Sequence, residues 1–187
     1  MASVFASSAA DGDTCHAICE QLAGSDRLIS PTRFHNSVHN APAGYWSIAT
    51  RSMAPSTSVC AYDASLGAGL LEAAALVLAR GEAVLLIAYD APYPEPLRAK
   101  RPVPDAFGVA LVLAPASSAR AQAQLRLRLG AGTPATLADP ALEALRRSIP
   151  TARALPLLGL LARGERGSVA LAYQDGLVLE AEAAPCA

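Results

Sequence analysis

The stretch from Thr57 to Gly81 constrains the fold most. A short strand-like run, Thr57 to Ala61, leads into Tyr62, Asp63, Ala64 and Ser65, and then into a long run of small and aliphatic residues that reaches Arg80. Gly81 closes that run, as expected for a helix whose cap needs a left-handed backbone. Strand, sharp turn and long helix follow one another without a linker. That succession argues for an α/β layered domain with a partly parallel sheet. Thr57 to Ala61 reads as a buried strand.

The flanking segments agree with this class. Ser3 to Ser8 is a candidate strand, and Asp13 or Thr14 caps a helix to about Leu22. Ser30-Pro31 opens another helix, because proline loses nothing at a first helical position; a second helix follows, to about Thr50. Ala83 to Ala88 and Phe107 to Leu113 have strand length and are expected to be neighbours in the sheet. Between them, APYPEPLRAKRPVPD (Ala91 to Asp105) reads as an exposed loop. Gln122 to Leu129 alternates polar and apolar residues, so it is expected at or near a sheet edge. Asp139 caps a helix over Ala141 to Arg147, and Leu155 to Ala162 suggests another. Asp175-Gly176, between two alternating runs, predicts a terminal β-hairpin.

Composition removes several classes of partner. Lys+Arg 15 against Asp+Glu 16 leaves no basic field for a phosphate backbone, so nucleic acid is not expected. The apolar runs Leu66 to Ala79 and Ala83 to Ala88 are interrupted by Glu72, Arg80, Gly81 and Glu82, short of the roughly 18 to 20 residues of a membrane span. The start, MASVFASSAADGD, lacks the basic region of a signal peptide. A cytoplasmic protein with free thiols at Cys15, Cys19, Cys60 and Cys186 is expected.

The chemistry of interest lies at the turn. A residue at the start of a helix meets unpaired N–H groups and the positive end of the dipole, which is where enzymes place nucleophiles. Here that residue is Asp63, whose negative charge suits that field and which also suits an N-cap for the following helix. Ser65, in DASLG, echoes the hydrolase elbow but lacks its first glycine and a placed histidine. Cys60 reads as a small buried hydrophobe. His35 and His39 stand four apart, a metal-binding spacing without an evident third ligand, and His16 beside Cys15 and Cys19 reads as an incidental surface group. Neither a metal nor a cofactor is expected.

From Ile29 to Pro92 the sequence resembles the β-ketoacyl synthases of the thiolase superfamily. The matching positions are Ser30-Pro31, Asn40, Ala43-Gly44, the turn Ala54-Pro55-Ser56, the elbow at Asp63 and Ser65, and Gly81-Glu82. Downstream, FGVALVLAPASSARAQAQLRLRLGAG is similar to the family's next strand, excursion and strand, so the likeness covers about residues 3 to 131. It implies a thiolase-like layered half-fold: a mixed sheet with helices on its faces, with C-terminal helices and a hairpin over about 139 to 184, all in one truncated domain of residues 1–187.

By this resemblance Asp63 occupies the position of the acyl-accepting cysteine, and a carboxylate is a poor acceptor beside a thiolate. The family's catalytic histidines and Gly-rich oxyanion loop have no counterpart, and the chain begins at what looks like the third strand of the first sheet. The implied role is therefore non-catalytic: a chain-length-factor-type subunit that pairs as a heterodimer with an active synthase, in type II polyketide, aryl polyene or fatty-acid-like biosynthesis. Thr57, Ser58, Val59, Cys60 and Ala61 would form the dimer seam, with Phe34, His35, Val38, Tyr45 and Trp46 near the seam or acyl tunnel. Arg98, Lys100 and Arg101 would meet an acidic acyl carrier protein. The alternative is a small acyltransferase or thioesterase-like enzyme using Ser65 or Cys60.

Overall fold

A computed structural model describes residues 1–9, 11–174 and 176–186. The elements run β1 (Ala2–Ala6), α1 (Gly12–Ala23), α2 (Pro31–Asn36), α3 (Ala41–Thr50), β2 (Ser56–Val59), α4 (Ser65–Arg80), β3 (Val84–Asp90) and α5 (Leu97–Lys100). There follow β4 (Phe107–Leu113), β5 (Ala123–Gly130), α6 (Pro140–Ser148), a 3-10 turn (Thr151–Ala154), α7 (Leu155–Arg163), β6 (Gly167–Ala172) and β7 (Val178–Pro185).

The strands form a four-stranded sheet in the order β2-β1-β3-β4 and a three-stranded sheet in the order β5-β7-β6. In the first, β1 runs parallel to β2 and β3, and β3 runs antiparallel to β4. This is the mixed sheet that the sequence implies, with the two strands flanking the proline-rich segment paired as expected. Every residue of β1 is buried, as a central strand covered on both faces requires.

Helix α4 lies between the two sheets. Its glycines show why: a Cβ on Gly69 would stand 2.7 Å from Ala6 Cβ in the first sheet, and one on Gly67 would stand 2.8 Å from the Tyr173 ring beside the second. Small residues on opposite faces let both layers close onto one helix. Leu66, Leu70, Ala73 and Val77 join Val4, Leu86, Leu157, Leu171 and Leu179 in one core, whose apolar burial is the main stabilising contribution. The segment Tyr62–Arg80 is also, by length and composition, long and apolar enough to cross a membrane, with mean hydropathy 1.3 in its most apolar 18 residues. The expectation that no run reaches that length is thus corrected; in this fold the segment is the Tyr62–Ala64 turn and α4, whose buried side packs against the sheets.

The second sheet follows the alternation of the sequence. Leu125 and Leu127 turn inward opposite Ala183 and Ala181, while Arg126 and Arg128 face Glu182 and Glu180 across the outer surface. β5 is an edge strand, as the pattern implies. β6 and β7 form the terminal antiparallel pair, joined through Gly176 with φ 76°. Asp175 of the expected turn pair lies outside the described residues.

Other expectations are corrected. The N-cap of α1 is Asp11, which accepts from Thr14 N, rather than Asp13 or Thr14. β2 is an edge strand with partly exposed residues, not a buried one, because only β1 pairs with it. The segment Ala91 to Asp105 is exposed only in part: Tyr93 and Val103 are buried and anchor it to Ile149 and Ala152.

Candidate functional site: the elbow and the open sheet edge

The elbow is built by the close approach of β2 and α4. β2 ends at Val59, so Cys60 and Ala61 belong to the turn rather than to the expected strand. Tyr62 adopts a left-handed backbone, φ 53°, which reverses the chain toward α4. Ser65 opens the helix and is 1% exposed. Its Oγ donates to Tyr62 O at 2.6 Å and accepts from Ala61 N at 2.9 Å. Both bonds close the turn, so this hydroxyl has a structural task. Cys60 is exposed rather than buried, and its thiol points toward Ser8 O at 3.5 Å.

Asp63 does not cap α4. The N-cap position is Ala64, without a side-chain bond. The Asp63 carboxylate instead accepts from Arg101 Nη2 at 2.6 Å and from Arg153 Nη2 at 2.9 Å, while Arg153 Nη1 donates to the Asp63 carbonyl at 2.9 Å. Arg101 also lies over the Tyr62 ring, 3.7 Å from its centroid, and donates through Nε to Tyr93 Oη at 3.2 Å. Burial works against the guanidinium charge, but the hydrogen bonds to Tyr93 and Asp63 outweigh it and hold the Arg101 pKa above its ordinary value. Arg101 thus faces inward, contrary to its expected place on a solvated loop. Arg98 and Lys100 do face solvent.

The clamp joins segments far apart in sequence: the elbow, the proline-rich segment and the 3-10 turn. That turn is fixed to the sheet by the buried Asp90, whose oxygens accept from Thr151 N at 2.7 Å, Thr151 Oγ1 at 2.5 Å, Ser8 N at 3.0 Å and Ser8 Oγ at 2.5 Å. Arg153, Tyr62, Tyr93 and Asp90 were not singled out from the sequence. Local signals for them are faint. The left-handed Tyr62 has no turn-forming residue type to mark it, and Arg153 meets Asp63 from 90 positions away.

Beside the elbow lies the outer edge of β2. The carbonyls of Pro55 and Val59 accept from Ser3 and Ser7 of β1's segment, so the alternating residues Ser56 and Ser58 turn their backbone groups outward. Phe34, Val38, Tyr45, Trp46, Ile48 and Met53 are exposed on α2, α3, the loop between them and the loop that leads into β2. Trp46 packs edge-on to Phe5 at 6.4 Å, which attaches α3 to the sheet next to that edge. His35 meets Tyr45 edge-on at 6.4 Å, and Tyr45 Oη donates to Asn36 at 2.7 Å. The residues expected near a seam or tunnel are therefore exposed on α2, α3 and the loop between them. His39 Nε2 is buried without a hydrogen-bond partner. Among the described residues no group of three or more His, Cys, Asp and Glu side chains is placed to hold a metal ion.

Comparison with known proteins places this geometry. No curated protein matches the sequence. The complex of the ketosynthase ApeO with its chain length factor ApeC from Xenorhabdus doucetiae contains a chain of similar structure, with TM-score 0.74, 26% identity, and coverage of 97% of this chain and 68% of that one. The ishigamide ketosynthase/chain length factor shares the fold at TM-score 0.74 and 13% identity, over 100% of this chain and 73% of that one. The family model of the β-ketoacyl synthase N-terminal domain matches residues 1–163. With its enclosed helix α4, its mixed sheet and this match, the chain belongs to the β-ketoacyl synthase N-terminal domain family.

Proposed function

We propose that this chain is a non-catalytic, chain-length-factor-type subunit that pairs with an active β-ketoacyl synthase and shapes the tunnel for the growing acyl chain. The pathway class is type II polyketide, aryl polyene or fatty-acid-like biosynthesis. One observation carries the reading: the open edge of β2 runs directly into an elbow whose carboxylate is engaged by two arginines. An edge strand with unpaired backbone groups is a template for another chain, and the exposed Phe34, Tyr45, Ile48 and Met53 extend it with apolar area. The partners named in the ApeO–ApeC complex support the same assignment.

In this reading Thr57, Ser58, Val59, Cys60 and Ala61 make the seam, and Phe34, His35, Val38, Tyr45 and Trp46 lie at the seam or the tunnel wall. Arg98 and Lys100 remain available to an acidic acyl carrier protein, whereas Arg101 is committed to Asp63. Residues 1–187 act as one unit, supported by α4 packing against strands from both ends of the chain, and the expected place of work is the cytoplasm. Ser65 and Cys60 offer the enzyme alternative little: the Ser65 hydroxyl is buried and doubly bonded, and among the described residues no histidine bonds to either.

The test is co-expression with catalytic ketosynthases, followed by size exclusion and native mass spectrometry. A one-to-one complex with a synthase is expected, together with no acyl transfer from an acyl-carrier-protein thioester to the isolated chain. Acylation at Ser65 or Cys60, with no complex formed, would overturn the proposal.

A further inference from the structure

Tyr62 is the residue whose conformation and exposure most need a reason. A bulky aromatic side chain is uncommon in the left-handed backbone region and persists there only when its surroundings over-determine it. Tyr62 holds φ 53° with 61% of its surface exposed. Its backbone is held by the Ser65 hydroxyl, which bonds Tyr62 O and Ala61 N, and its ring by the Arg101 guanidinium, stacked 3.7 Å from the ring centroid. Arg101 is in turn held by Asp63 and Tyr93, and Asp63 by Arg153. A cluster that is mostly sheltered from solvent thus fixes one exposed ring at the end of an open sheet edge, three residues after Val59.

We propose that Tyr62 is a preorganised anchor for the partner ketosynthase, and that Asp63, Arg101 and Arg153 are positioning residues that hold its ring outward. The inference rests on the pairing argued above and names the residue that gives it affinity. Rigid aromatic side chains dominate interfaces because they bury large area and lose little conformational freedom on binding. Tyr62 lies three residues beyond Val59, where the strand that offers its edge ends, so the seam and the ring are neighbours along the chain. The chemistry around it states what the partner must offer: an apolar pocket for the ring, rimmed by acidic or carbonyl oxygen atoms, because two arginines face one carboxylate here and leave a net positive charge. The other face of the ring is already covered by Arg101, so the pocket has to receive its edge and free face.

The experiment measures affinity for the ketosynthase and thermal stability on the same variants: wild type, Tyr62→Phe, Tyr62→Gly and Arg101→Ala. The anchor is the ring rather than its hydroxyl, so Tyr62→Phe is expected to bind like wild type. Tyr62→Gly relieves the left-handed backbone while removing the anchor, so it should melt at or above the wild-type temperature and bind about 30-fold or more weakly. Arg101→Ala should fall between, because the ring remains but is no longer fixed. A purely structural role would make stability and affinity fall together, and that result overturns the proposal. So does wild-type affinity in Tyr62→Gly, or a homodimer that this variant dissolves, which would assign the ring to a second copy. If wild type binds no synthase, the pairing itself fails and takes the anchor with it; if wild type binds and Tyr62→Gly binds equally, the anchor alone fails.

Discussion

Gly69 of α4 lies so close to Ala6 of β1 that a Cβ on the glycine would stand 2.7 Å from the alanine's Cβ and 3.0 Å from Leu86 Cδ1. Neither Cβ can rotate away, so Gly69→Ala must move the helix off the sheet. Overpacking of this kind costs about 1–3 kcal/mol, more than the roughly 1 kcal/mol that alanine contributes over glycine in a helix interior. The expected result is a lower urea midpoint. Gly44→Ala in α3 is the counterpart, with nothing within 4 Å of the added carbon, and is expected to stabilise by about 0.5–1 kcal/mol. Equal shifts in the two variants would contradict the packing argument.

Asp90 joins the ends of β1 and β3 to the 3-10 turn by taking donors from Ser8 and Thr151. Asp90→Ala leaves these buried donors unpaired and is expected to cost more than about 3 kcal/mol, since each unsatisfied group costs about 1–3. Asp90→Asn keeps one acceptor oxygen but turns an NH₂ toward donors, so its loss should be intermediate. Chemical denaturation of the pair checks the order; an Asn variant as stable as wild type would show that the charge and second acceptor are dispensable.

Glu143 accepts from Arg146 Nε at 2.7 Å and Nη2 at 2.6 Å, and from Leu137 N at 3.0 Å. The hydrogen bonds to Arg146 lead, against a smaller opposing effect of burial, in lowering the Glu143 pKa from 4.5 to about 2. A carboxylate whose pKa is lower in the folded state stabilises the fold fully above its unfolded value and loses that contribution as pH falls toward the folded one. Wild type should therefore exceed Glu143→Gln in stability at pH 7 and converge with it between about pH 4.5 and 2. Parallel stability curves over this range would remove Glu143 from the acid limb.

Ser58 turns its N–H toward the open side of β2, away from β1. Proline is tolerated at such an edge position because no ladder bond is lost, so Ser58→Pro should change stability by no more than about 1 kcal/mol. It cannot donate to an added strand. Association with a ketosynthase through this edge should weaken about tenfold or more, as read by titration calorimetry, whereas unchanged affinity would move the seam elsewhere on the surface.

Much of the fold was legible because it rests on local signals. The Ser30-Pro31 entry, the Asp139 cap, the Gly81 closure of α4 and the period of β5 each depend on a few neighbouring residues. Where two local signals compete, the sequence does not choose between them: Asp11 and Asp13 both suit a helix start, and only Asp11 stands three residues before Thr14 N, within reach of that donor. The elbow between β2 and α4 was legible as a turn between strand and helix, while the partners of Asp63, Ser65 and Cys60 there were not.

By itself the sequence determined the alternation of strands and helices, their caps, the family likeness and the presence of a carboxylate at the elbow. The tertiary structure alone decided that β2 is an edge, that the last two strands join β5 in a second sheet across α4, and that Asp63 binds Arg101 and Arg153 instead of capping its helix. The difference is physical. Period and capping act within a turn or two of the chain, whereas strand order and ion pairs between residues 38 and 90 positions apart depend on how distant layers close together and on what that closure buries.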